Sequence, residues 1–131
     1  MRALRIFCVS AWLIGSGAAA SAQVASFDCA KAESPTEAAI CQAPSLGAKD
    51  VKLSAYYQIL ETVNPAFAGM AYREFRDNLR HDQAQWIAQT RDACEGDAKC
   101  LEEAYDKRTS TLLAMIMKDL GVTYGRMCDA D

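Results

Sequence analysis

From Leu46 onward the apolar residues recur at helical steps, and the chain never alternates apolar and polar residues for long. That period belongs to helices lying with one face on a core, so the pattern points to an all-α fold. Leu46, Leu53, Tyr57, Leu60 and Val63 share one face of a helix that Ser45 is placed to cap, and Asn64-Pro65 breaks it. A further helix carries Tyr72, Phe75, Leu79, Trp86 and Ile87 on or beside one stripe, with Arg73, Arg76, Asp77, Arg80 and Asp92 on its polar side. Residues 94–97 read as a turn. Asp97 can then cap a last helix in which Leu101, Tyr105, Leu112, Ile116 and Leu120 align, with Gly121 as its stop.

A short helix precedes these three. Ser34-Pro35-Thr36-Glu37 offers an N-cap serine, a proline at the first helical position and a glutamate at N3 to close a capping box. The helix should run over residues 35–42, and Pro44 prevents it from going further. Residues 26–29 read as a strand-like entry segment. At 131 residues the chain holds one compact domain. The expectation is a small antiparallel helical bundle, three long helices plus one short N-terminal helix, over residues 23–121, with a loosely ordered tail at 122–131.

Residues 1–22 read as a secretory signal peptide. Arg2 and Arg5 give a basic start, residues 6–19 are apolar, and Ala20-Ser21-Ala22 has the small-x-small form of a cleavage site. The apolar run is shorter than the roughly 20 residues that span a bilayer, so an integral membrane protein is not expected. Cys8 lies inside that run, away from the cleavage point. The expected location is periplasmic or secreted. Removing Arg2 and Arg5 from the 14 basic residues leaves 12 against 17 acidic ones, a net charge of −5. Such a surface repels nucleic acid and anionic lipid and speeds the encounter with a basic protein partner.

Export leaves Cys29, Cys41, Cys94, Cys100 and Cys128 in an oxidising compartment, where thiols pair. Several pairings are open. Cys29 with Cys41 and Cys94 with Cys100 stand out, because each would close a short loop beside a helix end. Cys128 is then left free or links two copies, so the protein is a monomer or a Cys128-linked dimer. A zinc site competes with this reading, but neither spacing is of the CxxC type and a single histidine cannot complete two sites. No metal, cofactor or catalytic residue is expected. His81 has Asp77 and Asp82 near it in sequence but no nearby nucleophile, and Glu102-Glu103 suits the positive end of a helix.

Phe27-Asp28-Cys29, Glu37, Ile40-Cys41, Pro44, Leu46, Asp50, Leu53 and Tyr57 resemble the opening pattern of the LprI-type lysozyme-inhibitor domain. Gln83 with Trp86, then Arg91-Asp92-x-Cys94, then Cys100-Leu101 with Tyr105 and Arg108 are similar to that family's later elements, in order and at fitting intervals. Lys49 and Ala84 depart from the pattern, standing where an apolar residue and an arginine are usual, and Cys128 lies outside it.

The resemblance implies an exported, disulfide-stapled helical domain that binds a protein, a basic lysozyme in the member that names the family. Relatives with a different partner in the cell envelope are equally compatible with these residues. A basic lysozyme works with two carboxyl groups in its cleft, so an acidic inhibitor could be steered to the rim and block the cleft with a protruding turn. The turns at residues 42–48 and 95–99 qualify, with Pro44, Ser45, Glu95, Asp97 and Lys99 as partner-binding residues and Lys99 facing the carboxylates. Tyr57, Trp86 and Tyr105 have the spacing of core anchors. Arg108 is expected to pair with Asp50 across the bundle, and Arg91 to hold the turn at Asp97.

Overall fold

The computed structural model describes residues 24–62 and 70–128, whose regular structure is helical, with no strand among them. Four α-helices follow one another: α1 (Pro35–Gln42), α2 (Pro44–Thr62), α3 (Met70–Trp86) and α4 (Ala98–Cys128). The leader at residues 1–22 and the breaker Asn64-Pro65 lie outside the described residues, as do the side chains of Val63, Tyr72, Leu120 and Cys128.

The start of α1 is fixed by its own first four residues. Ser34 Oγ accepts the Glu37 N–H at 3.1 Å, while Glu37 Oε2 accepts the backbone N–H groups of Ser34 at 3.2 Å and Glu33 at 2.9 Å. Two donors that a helix start would leave unmet, the Ser34 and Glu37 N–H groups, are thereby satisfied, and the Glu33 N–H is bound as well. The two backbone donors hold the Glu37 carboxyl below its ordinary range.

Pro44 ends α1 and begins α2. Its ring forces Ala43 out of the helical region, to φ −106° and ψ 107°, and its missing N–H does no harm at the first position of the next helix. Ala43 C=O accepts the Gly47 N–H at 3.0 Å, so the expected cap, Ser45, lies instead within the first turn of α2. Residues 42–48 are therefore a junction between two helices and not a free turn.

The core is built where α2, α3 and α4 face one another. Leu46, Leu53 and Leu60 of α2, Leu79 of α3, and Leu101, Tyr105, Leu112 and Ile116 of α4 are buried, with Ile40 of α1 closing one end. α3 runs antiparallel to α4: Trp86 meets Tyr105, Gln83 meets Arg108, and Phe75 and Leu79 lie beside Met115. Arg80 of α3 reaches Glu61 of α2 at 2.8 Å, and Lys49 of α2 pairs with Asp106 of α4. Beyond Trp86 the chain stays helical but widens into a π turn over Ile87–Arg91, then tightens into a 3-10 turn over Asp92–Cys94.

Two expectations at the chain's ends are corrected. Residues 26–29 form no strand: they bend and enter a 3-10 turn at Cys29–Lys31, capped by Asp28. The segment is nevertheless well docked. Ala25 is fully buried, Ser26 donates its N–H to Asp50, and a Cβ at Gly47 would run into the Val24 carbonyl oxygen. At the other end α4 does not stop at Gly121 but continues to Cys128. A lone glycine inside a helix costs only about 1 kcal/mol relative to alanine, and no proline follows it here.

Both close cysteine pairs are bridged. Cys29–Cys41 ties the entry segment to α1 with a Cα separation of 5.8 Å, and Cys94–Cys100 closes the α3–α4 connection with one of 5.6 Å.

Candidate functional site

Asp50 is buried in α2 and must have its charge met within the fold. Its Oδ1 accepts the Tyr105 hydroxyl at 2.8 Å and its Oδ2 the Ser26 N–H at 2.7 Å. Burial, and then the Asp50 charge, push the Tyr105 phenol well above its ordinary range. Trp86 packs edge-on against Tyr105, ring centroids 5.4 Å apart, and the Arg108 guanidinium lies over the same indole at 5.9 Å. Arg108 then donates to Gln83 Oε1 at 3.0 and 2.9 Å and to Asp82 Oδ2 at 2.6 Å. Asp50, Tyr105, Trp86, Arg108 and Gln83 thus form one continuous column through the bundle.

Arg91 stands beside this column. Its side chain is only 12% exposed and donates to Asp92 Oδ1 at 2.8 Å, and its charge acts on Tyr105 and Asp50. The expected pairs are therefore replaced: Arg108 meets Asp82 and Gln83 rather than Asp50, and Arg91 meets Asp92 rather than Asp97. Asp50 faces the entry segment and Tyr105, and Arg91 bonds its immediate neighbour in the chain. Tyr57 is half-buried and donates to Glu61 Oε1 at 3.2 Å, away from the column. The side chains of the column and of Arg91 make their hydrogen bonds and ring contacts within the fold.

The surface candidates lie elsewhere. Pro44 and Ser45 are exposed in the first turn of α2. Glu95 and Asp97 are exposed on the connection closed by Cys94–Cys100, and Lys99, also inside that loop, is exposed in the first turn of α4. Asp97 has an internal task, since its Oδ1 accepts the Cys100 N–H at 2.8 Å and caps α4. The side chains of Glu95 and Lys99 make no hydrogen bond or ion pair among the described residues. The turn is held from several sides: Glu95 N–H donates to Asp92 C=O and Asp97 N–H to Cys94 C=O, while Gly96 abuts α1. A Cβ at Gly96 would come within 3.1 Å of the Pro35 carbonyl oxygen, and its φ of 88° suits glycine.

The sequence reading missed Asp82 as the partner of Arg108, Ser26 as a donor to Asp50, and the close approach of Val24 to Gly47. The absence of a side chain at Gly47 was the one signal of that approach. His81 is exposed, and among the described residues no group of three or more His, Cys, Asp or Glu side chains is arranged to hold a metal ion. No helix of the described residues is long and apolar enough to cross a membrane.

Comparison with curated proteins and with solved structures finds no match. A family model described as Lysozyme inhibitor LprI does match, over residues 29–119. That span holds both disulfides and the whole Asp50-to-Gln83 column, and on it the chain belongs to the LprI lysozyme-inhibitor family.

Proposed function

We propose that this chain is an exported, non-catalytic inhibitor that binds a basic lysozyme and blocks its cleft with the turn at residues 95–99. The observation that carries the reading is the state of that turn. It is exposed and covalently closed, and it bears two charged side chains, Glu95 and Lys99, that serve no partner within the described residues. A turn already held in one conformation loses little further freedom on binding. The net charge of −5 expected after removal of residues 1–22 would speed the approach to a basic enzyme. Lys99 would then meet the two carboxyl groups that line a lysozyme cleft. Pro44 and Ser45, rigid at the head of α2, are proposed as a secondary contact.

Export agrees with the disulfides, which persist in the periplasm or outside the cell. The test is lysis of peptidoglycan by a c-type lysozyme in the presence of the oxidised protein. Stoichiometric inhibition is expected, weakened about tenfold or more by Lys99→Glu, a change worth at least about 1.4 kcal/mol of binding. Undiminished lysis in the presence of folded protein would overturn the reading and leave a different envelope protein as the partner.

A further inference from the structure

Among the described residues Glu95 is the one non-glycine residue with a positive φ, at φ 50° and ψ 30°. It follows the 3-10 turn at Asp92–Cys94, a position where the left-handed conformation favours glycine or asparagine because a Cβ there crowds the backbone. The turn does not need a glutamate to form. The Cys94–Cys100 bridge, the Glu95 and Asp97 N–H bonds, the Asp97 cap and the seat of Gly96 against Pro35 fix the backbone without any contribution from the Glu95 carboxylate. That carboxylate is exposed and makes no hydrogen bond or ion pair among the described residues. The chain thus carries, at a strained position, a charged side chain with no structural task.

We infer that Glu95 is a specificity-determining contact residue, its carboxylate held out by the left-handed turn to receive a guanidinium or ammonium group on the rim of a basic lysozyme. The assignment rests on the inhibitor reading above and adds to it a division of labour. Glu95 selects a cationic rim, Lys99 meets carboxylates, and Asp97 between them is committed to capping α4. Stability and recognition therefore pull in opposite directions at this one position.

The experiment compares wild type, Glu95→Gly and Glu95→Gln for thermal midpoint and for affinity to a c-type lysozyme at low and high salt. Glu95→Gly is expected to raise the midpoint by about 2–5 °C while weakening affinity about tenfold. Glu95→Gln should leave the midpoint within about 1 °C of wild type, weaken affinity similarly and reduce its salt dependence. Full affinity in both variants, or a lowered midpoint in Glu95→Gly, would overturn the assignment while leaving the inhibitor reading in place. A wild-type protein that does not bind lysozyme would overturn the reading and the assignment together.

Discussion

Asp50 is a buried carboxylate whose two oxygens serve different parts of the chain, the Tyr105 hydroxyl on α4 and the Ser26 N–H of the entry segment. Removing it in Asp50→Ala leaves both donors unmet, at an expected cost of about 3 kcal/mol in denaturant unfolding. Tyr105→Phe keeps the packing against Trp86 but strips one oxygen of its donor, and should cost about 1–3 kcal/mol. The same pair sets a pH dependence. Because the folded phenol titrates above its ordinary value of 10.0, the unfolded chain loses that proton first, so stability should fall as pH rises beyond about 10. In Tyr105→Phe that alkaline loss should be shallower, measured as unfolding free energy against pH. Gly47→Ala places a Cβ against the Val24 carbonyl oxygen and should cost about 1–3 kcal/mol, with new protease sensitivity near residues 24–28.

At the scale of elements, α1 is the clearest case of local sequence fixing local structure. Its cap, its first-turn proline and its end at Gln42 all follow from residues within a few positions of one another, so all were legible in the sequence. Ser34→Ala should cost about 1 kcal/mol. Glu37 contributes stability that is present above its ordinary value of 4.5 and is lost as pH falls through its depressed folded value. Glu37→Gln should flatten that part of the acid limb in a stability–pH series. The corrected features depend on longer reach. The docking of residues 24–28 needs the bare surface of Gly47, which sequence spacing does not reveal. The partner of Arg108 depends on how α3 and α4 align, and alignment brings Asp82 and Gln83 to it from 26 and 25 residues away. The helix passes Gly121 because one glycine is too weak a signal to end it without the turn geometry that follows a true stop.

For the whole molecule, the two disulfides divide their labour. Cys29–Cys41 spans 12 residues and Cys94–Cys100 spans 6, and loop-closure entropy assigns each about 2–4 kcal/mol. Only the second encloses the surface proposed to meet a partner. The fold and both bridges were readable from periodicity and cysteine spacing, and the family from the order of its motif residues, because each is written along the chain. Which motif residues brace the column and which charges stand free was not readable, since that depends on what each side chain meets after folding. Paired Cys94→Ser and Cys100→Ser substitution separates the two roles. The most direct test of the account is therefore inhibition of a c-type lysozyme by the oxidised protein, by the Cys94→Ser/Cys100→Ser variant and by the Cys29→Ser/Cys41→Ser variant, each confirmed helical by circular dichroism. The account predicts stoichiometric inhibition by the wild type, retained when the first bridge is absent and lost or weakened about tenfold or more when the second is. Equal inhibition by the folded variant lacking Cys94–Cys100, or none by the wild type, would contradict it.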